Sequence, residues 1–240
     1  MSHRSLVTLL AVDVEDADLE GRLEALLPDG TRRRLAAFTH QARRRQSLWG
    51  RLLALAEARR LGAELTEEPP YPPYLRVPGG TVALSIAHTG AFVAVGTACA
   101  QDPVMGLDLE GVRPLRRLEA VCGMSLGIAA RPTLEACRLT DSTDPFFFAW
   151  GLMESQVKLN RGGARYRLIL DDRGRPAVAD ESGRPLLVTH RKFEHLRLTV
   201  LTSALVPDIR RLNASELARL LLSQQRHGTQ TPNELPQHSA

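Results

Sequence analysis

The stretch VALSIAHTGAFVAVGTA, residues 82–98, consists of two apolar runs that a short Thr-Gly turn separates. Two such runs joined by a turn containing glycine predict a β-hairpin. A third apolar run, GLDLEG at residues 106–111, follows closely and predicts a third strand. We expect this strand to be antiparallel to the second strand of the hairpin.

Two acids lie side by side in the third predicted strand. Asp108 and Glu110 are two residues apart, and side chains alternate in a strand, so both carboxylates point to the same side. Two like charges about 5 Å apart repel by roughly 3 kcal/mol at an effective dielectric constant near 20. Water on a solvent-facing strand would offset this repulsion, and so would a divalent cation. The two residues alone leave both explanations open.

Helical patterns lie on either side of these strands. Residues 41–61 have leucines at helical spacing and are followed by Gly62, which predicts an amphipathic helix. FFFAWGLMESQVKLNRGG, residues 146–163, predicts a helix that carries Glu154, Lys158 and Arg161 on one face. The other predicted elements are a strand at 5–14, a Pro/Gly-rich loop at 67–80, a weaker helical region at 113–145, three or four strands between 165 and 206, and a capped helix that opens with NASE at 213–216.

Each half of the chain thus contains a helix followed by strands. The predicted fold is α+β, with two similar α/β halves related by pseudo-twofold symmetry, each a small antiparallel sheet packed on a helix. We expect the N-terminal half to span residues 1–112 and the C-terminal half to span residues 113–223. Residues 224–240 are polar, contain Pro and Gly, and predict a disordered tail.

Composition narrows the class of protein. The 240 residues carry a formal charge of +4, and Lys158 and Lys192 are the only lysines, so arginine dominates the basic residues. Arginine binds phosphate through a planar fork, and a mild basic excess favours an anionic partner. The arginines are scattered without interleaved aromatic residues, which disfavours nucleic acid as the partner. Three widely spaced cysteines, the absence of an apolar run of about 18 residues and the absence of a leader pattern predict a cytoplasmic protein without a membrane span.

The quoted stretches resemble the motif set of a known family. IAHT, GLDLE and WGLMESQVK follow the order and spacing of the 4′-phosphopantetheinyl transferases of the two-halved (Sfp-type) class. That family has S-H-S on a strand, then G-I/V-D-I/V/L-E, then W-S/T-x-K-E-S/A-x-x-K on a helix. The resemblance spans about residues 31 to 205. It implies magnesium-dependent transfer of the 4′-phosphopantetheine moiety of coenzyme A to a serine of an acyl or peptidyl carrier protein, with release of adenosine 3′,5′-bisphosphate.

The resemblance assigns roles by motif. Asp108, Glu110 and Glu154 would be the metal ligands and would hold Mg²⁺ against the diphosphate of coenzyme A. Glu154 and Lys158 would be the catalytic residues, with Lys158 contacting the phosphates and assisting the leaving group. We expect a monomer, because a two-halved chain can build this site between its own halves.

Four residues in addition to Lys158 would contact the coenzyme. His88 would contact the 3′-phosphate. Arg34, and Ser47 within FTHQARRRQSLWGR (residues 38–51), match the family segment that lines the 3′-phosphate and the adenine. Arg161, one turn beyond Lys158, would compensate for phosphate contacts that are missing elsewhere.

The chain departs from the family pattern at four places. Met153 replaces the motif lysine, Ala87 replaces the serine before the histidine, and PYPPYL replaces a Gly-Lys-Pro segment. The family's general base falls near Ala130, and Glu135 is the nearest acid. These departures favour an alternative, in which a catalytically impaired family member acts as a binding module for carrier proteins or coenzyme A.

Overall fold

The computed structural model describes residues 4–66, 74–78, 80–100, 103–161 and 165–227. These residues form a mixed α+β structure, as the sequence predicts. The strands are β1 (Arg4–Ala11), β2 (Glu64–Thr66), β3 (Tyr74–Val77), β4 (Gly80–Thr89), β5 (Phe92–Cys99), β6 (Met105–Gly111), β7 (Arg167–Leu170), β8 (Pro176–Ala179), β9 (Leu187–Phe193), β10 (Leu196–Thr202) and β11 (Asp208–Asn213). The helices are α1 (Ala17–Glu24), α2 (Asp29–Ala36), α3 (Gln41–Leu61), α4 (Leu118–Ser125), α5 (Ala130–Thr140), α6 (Asp144–Asn160) and α7 (Ala214–His227).

The predicted hairpin lies at the centre of the larger sheet. β4 and β5 pair antiparallel, and Gly90 has a φ of +53° in the turn between them. This left-handed conformation favours glycine. β1 and β11 extend the sheet beyond β5, and β3 and β2 extend it beyond β4, which gives the order β11-β1-β5-β4-β3-β2.

β6 runs antiparallel to β5, as expected, but the two strands do not pair. Both edges of β5 are occupied, one by β1 and the other by β4. β6 instead pairs antiparallel with β10, in a second sheet with the order β6-β10-β9. GLDLEG is therefore a strand, as predicted, but it belongs to a different sheet from the hairpin before it.

The order of the sheets also differs from the predicted division of the chain. The break between the two larger sheets falls between β5 and β6, before residue 112. β11 pairs parallel with β1, and α7 packs in the same core as α3. The chain thus returns to the first sheet after completing the second, so residues 113–223 do not form one sheet unit.

The two sheets meet where β4 and β6 lie side by side. Leu107 N donates to Ser85 Oγ at 3.1 Å, and Gly111 N donates to Thr89 Oγ1 at 3.2 Å. Each donor is 22 residues beyond its acceptor, so the two strands run in the same direction here. Side-chain hydroxyls therefore satisfy strand amides at this junction, which we call the seam.

The predicted helix 41–61 is confirmed as α3. Its Leu48, Trp49, Leu52 and Leu53 are fully buried in the core beneath the first sheet. Gly62 ends the helix in the left-handed conformation, with a φ of +62°. The sequence reading missed α1 and α2, which are short and rich in charged residues. The Asp16 side chain caps α1 by accepting from Leu19 N at 2.9 Å.

The second long helix, α6, packs closely on β6 and β10. A Cβ at Gly106 of β6 would lie 2.7 Å from the Ser155 carbonyl oxygen, and a Cβ at Gly151 of α6 would collide with the side chain of Thr199 on β10. These two glycines let the helix approach the sheet. Gly162 and Gly163, the predicted stop after this helix, lie outside the described residues.

Strands and a helix occupy part of the two segments that the sequence predicts to be a loop and a disordered tail. β3 and the start of β4 fall within the expected loop 67–80, whose residues 67–73 and 79 lie outside the described part. The NASE cap is confirmed, because Glu216 N donates to Asn213 Oδ1 and Asn213 N donates to Glu216 Oε2. α7 continues to His227, past the expected start of the tail at 224, and residues 228–240 lie outside the described part.

Candidate active site

A cavity of about 760 Å³ lies between α3, β4, β6 and α6. Its volume is in the range of small-molecule and cofactor sites. The residues to which the motifs assign a role all line it. They are Arg34, Ser47, His88, Asp108, Glu110, Glu154, Lys158 and Arg161. The cavity crosses the seam, because Ser85 and Asp108 belong to different sheets and both contribute to its wall.

Asp108 is the most buried acid of the cavity, and its side chain is 7% exposed. Lys158 Nζ donates to Asp108 Oδ1 at 3.1 Å and to the carbonyl oxygen of Leu107 at 2.7 Å. The second carboxylate oxygen, Asp108 Oδ2, is buried and has no hydrogen-bond partner. Burial raises the pKa of Asp108, while the nearby charge of Lys158 acts in the opposite direction.

Glu110 lies next to Asp108 on the same side of β6, as the alternation of a strand predicts. Its Oε1 accepts from Trp150 Nε1 on α6 at 3.1 Å. Burial raises the pKa of Glu110, and the negative charges of Asp108 and Glu154 raise it further. The three carboxylates therefore repel one another. For Asp108 and Glu110, this is the repulsion that their spacing in the sequence implies.

His88 lies near the end of β4, at the wall opposite α6. It keeps access to solvent, but partial burial lowers its pKa, and the positive charges of Lys158, Arg43 and Arg51 lower it further. We therefore expect a neutral imidazole at pH 7 in the ligand-free chain. The same cations favour an anion beside this histidine.

The structure adds Arg43 and Arg51 to the cavity wall. Arg51 is 7% exposed, and its Nη1 donates to the carbonyl oxygen of Ser47 at 3.3 Å. The sequence reading did not select Arg51, although it lies four residues after Ser47 and so shares its helix face. Near the start of α3, Arg44 pairs with Glu24 and Arg45 pairs with Glu20, whereas Arg43 lines the cavity.

Two tyrosines at the cavity wall were also missed, Tyr74 of β3 and Tyr166 before β7. Tyr166 is held by its backbone: its N–H donates to Asn160 Oδ1 at 2.8 Å, and its carbonyl oxygen accepts from Asn160 Nδ2 and Gln156 Nε2. Spacing in the sequence gives no signal for Tyr166, because its position depends on the chain folding back against α6.

The residues that depart from the family pattern have definite places. Met153 packs against the apolar cluster of α4 and α5 and does not line the cavity. Ala87 is buried in the cavity wall. Glu135 pairs with Arg131 on an exposed face of α5, and neither Glu135 nor Ala130 lines the cavity.

The carboxylates are suited to a magnesium ion that takes only some of its ligands from the protein. Mg²⁺ usually takes one or two carboxylates and completes its octahedral shell with water and substrate phosphates. Asp108 Oδ2 is a buried carboxylate oxygen without a hydrogen bond, and Glu110 lies beside it. Within the described ranges, no three His, Cys, Asp or Glu side chains are arranged to hold an ion by themselves. The donor set therefore suits an ion that a phosphate-bearing ligand helps to bind.

In comparisons with known proteins, the chain matches neither a family model nor a curated protein. For the part of the chain that the structure describes, each helix is too short or too polar to cross a lipid bilayer.

Proposed function

We propose that this chain transfers the 4′-phosphopantetheine moiety of coenzyme A to a serine of an acyl or peptidyl carrier protein, with Mg²⁺ as cofactor. One observation carries the proposal. The motifs select residues from α2, α3, β4, β6 and α6, and these residues line a single cavity of about 760 Å³. A chance match of short motifs would have no reason to bring its members together.

The charge of the cavity supports this ligand. The wall carries three carboxylates and five Arg or Lys side chains, so its formal charge is +2 when His88 is neutral. One divalent cation would bring this charge to +4. The 3′-phosphate and the diphosphate of coenzyme A together carry about four negative charges near pH 7. The cavity with its ion would therefore neutralise the ligand.

Each charged residue has a role in this proposal. Arg34, Arg43 and Arg51, together with His88, bind the 3′-phosphate end of the coenzyme. Lys158 and Arg161 bind the diphosphate and stabilise the charge that develops on the leaving group. Each charge-assisted hydrogen bond contributes about 1.5–3 kcal/mol.

Asp108, Glu110 and Glu154 would hold the magnesium ion, which supplies Lewis-acid stabilisation of the phosphate oxygens when bound. In the transfer step, the carrier serine oxygen forms a bond to the phosphorus that bears pantetheine. The bond from that phosphorus to the bridging oxygen breaks, and its electron pair leaves with adenosine 3′,5′-bisphosphate. The serine proton passes to water, since Ala130 supplies no carboxylate at the family's base position. General-base assistance is typically worth 10²- to 10⁴-fold, so we expect slow turnover.

The expected partners follow from this function. Carrier proteins are acidic around their serine, and the basic, arginine-rich chain would attract them electrostatically. All residues of the proposed site come from one chain, which is consistent with a monomer. The pseudo-twofold relation between two similar α/β halves is part of the same proposal.

The test is intact-protein mass spectrometry of an apo carrier protein after incubation with this chain, coenzyme A and Mg²⁺. We expect a mass gain of one phosphopantetheine with the wild-type chain and none with Glu154→Gln. Glu135→Gln is the matched control, because it removes an exposed acid that pairs with Arg131 away from the cavity. The proposal fails if Glu154→Gln modifies the carrier as fast as the wild-type chain does.

A binding module is the second candidate function. It is favoured by Met153, which places a thioether in an apolar cluster where the family has a phosphate-facing lysine. Binding of coenzyme A by isothermal titration calorimetry without modification of several carrier proteins would select this alternative. A chain that neither binds coenzyme A nor modifies a carrier protein would exclude both candidate functions.

A further inference from the structure

Lys158 is the direct partner of Asp108, the first of the three predicted metal ligands. Its ammonium group donates to Asp108 Oδ1 at 3.1 Å and to the Leu107 carbonyl oxygen at 2.7 Å. The motif resemblance instead gives this lysine a role at the phosphates of the ligand. In the structure, the positive charge of Lys158 instead pairs with the carboxylate of Asp108.

A metal ion at Asp108 and the ammonium group of Lys158 in its present position would repel each other. A divalent cation bound to Asp108 would lie a few ångströms from the ammonium group, and like charges at about 4 Å repel strongly at the low effective dielectric of a partly buried site. The carboxylate side chain is 7% exposed and that of Lys158 is 23% exposed, so solvent screens this repulsion only in part. Lys158 must therefore leave Asp108 when the metal binds.

The surroundings of Asp108 suit such an exchange. Without a cation, a carboxylate buried to this degree would be strongly destabilising. Lys158 supplies that cation but engages only one of the two carboxylate oxygens, because Asp108 Oδ2 has no hydrogen-bond partner. Lys158 itself lies on α6 and lines the same cavity as Arg161 and Glu154, in which the proposed phosphate ligand would bind.

We propose that Lys158 is an internal counter-ion which holds the metal position at Asp108 until a divalent cation and a phosphate-bearing ligand displace it together. The ammonium group of Lys158 would then pair with the phosphate, and Asp108 would pair with the metal ion. Each ligand therefore promotes binding of the other, and by linkage the two effects are equal. The inference rests on the proposed function only for the identity of the phosphate ligand, coenzyme A.

The test is to measure two affinities in Lys158→Met and in the wild-type chain. Binding of Mn²⁺ alone, followed by electron paramagnetic resonance, should become about tenfold tighter in the variant because the competing ammonium is gone. Binding of coenzyme A at saturating Mg²⁺, measured by calorimetry, should become about tenfold weaker because a phosphate contact is lost. A lysine that only stabilises the fold would weaken both affinities or neither.

Lys192→Met is the matched control, because Lys192 is the other lysine of the chain and pairs with Asp144 on a different surface. It should leave both affinities unchanged. If Lys158→Met lowers the unfolding midpoint, the two affinities are measured in Lys158→Gln instead. The glutamine side-chain amide can still donate to the Leu107 carbonyl oxygen, but it carries no charge. Unchanged or weaker Mn²⁺ binding in the folded variant would overturn the inference. A wild-type chain that binds no coenzyme A would refute the proposed function, while the Mn²⁺ measurement would still decide the role of Lys158.

Discussion

At the scale of single residues, the acids of β6 are placed for binding at a cost to stability. Glu110 is partly buried beside Asp108 and Glu154, and its raised pKa reports that its charge is unfavourable in the folded, metal-free chain. The hydrogen bond that it accepts from Trp150 Nε1 does not require a negative charge. Stability and function should therefore respond to this residue in opposite directions.

We expect Glu110→Gln to raise the free energy of unfolding of the metal-free chain at pH 7 by about 0.5–1 kcal/mol, a small gain because solvent screens the repulsion. The same change should weaken Mn²⁺ binding. Urea unfolding and Mn²⁺ titration measure the two effects. Glu119→Gln, which removes an exposed partner of Arg138, is the control and should change neither quantity appreciably.

The stability gain of Glu110→Gln should depend on pH with a definite sign. The pKa of Glu110 is higher in the folded chain than its usual value of 4.5, so ionisation costs stability as pH rises through this range. The difference in unfolding free energy between variant and wild type should be negligible below pH 4.5 and reach its full size at neutral pH. A difference that grows towards acid pH would contradict this electrostatic account.

Arg51 is the residue of the site that the sequence reading should have selected. It is buried in α3 one turn after Ser47 and lines the cavity. We expect Arg51→Met to weaken coenzyme A binding by about 10- to 100-fold, the effect of losing one charged phosphate contact. Isothermal titration calorimetry measures this loss. Arg219→Met, on the exposed side of α7, is the control, and equal affinities for the two variants would exclude a phosphate role for Arg51.

At the scale of elements, the approach of α6 to β6 sets the position of Lys158 relative to Asp108. Because a Cβ at Gly106 would meet the backbone oxygen of Ser155 at 2.7 Å, this contact cannot be relieved by a rotamer change. We expect Gly106→Ala to lower the unfolding free energy by about 1–3 kcal/mol and to weaken metal binding.

Gly123→Ala is the matched control for that substitution. Gly123 lies within α4, and a Cβ there would meet no atom within 4 Å. Alanine should raise the unfolding free energy by up to about 1 kcal/mol, because it is the better helix former. Equal effects of the two substitutions in thermal or urea unfolding would show that the contact between α6 and β6 is not tight.

The elements also show which parts of the fold the sequence could predict. α3, the β4–β5 hairpin, α6 and the Asn213–Glu216 cap are determined by patterns of a few neighbouring residues, and all four are present. The pairing of β6 with β10 could not be predicted, because it depends on β1 occupying the second edge of β5. No local pattern carries that information. Arg51 could have been found from its place one turn after Ser47 on the same helix, whereas Tyr166 reaches the cavity through tertiary packing.

At the scale of the whole molecule, the end of the chain completes its beginning. β11 pairs with β1 along the edge of the first sheet, and Leu217 and Leu221 of α7 are fully buried in the core that contains α3. The first sheet and the core beneath it therefore cannot be complete until about residue 221 has been made.

Truncation after Pro207 should consequently unfold the region around α3, although the missing residues are distant in sequence. The emission of Trp49, which is fully buried in that core, should shift to longer wavelength, and cooperative thermal unfolding should be lost. Truncation after His227, which removes no described contact, is the control. A cooperative transition in the shorter chain would show that the N-terminal part folds without β11 and α7.

The hydroxyl bridges across the seam make two amides into reporters of how the sheets move relative to each other. The N–H groups of Leu107 and Gly111 bond to Ser85 and Thr89, so their exchange with deuterated water requires the sheets to part but not to unfold. The cavity lies across the same junction. A ligand that bridges Ser85 and Asp108 would clamp the sheets together, and exchange at these two amides would slow while exchange elsewhere in either sheet stayed the same.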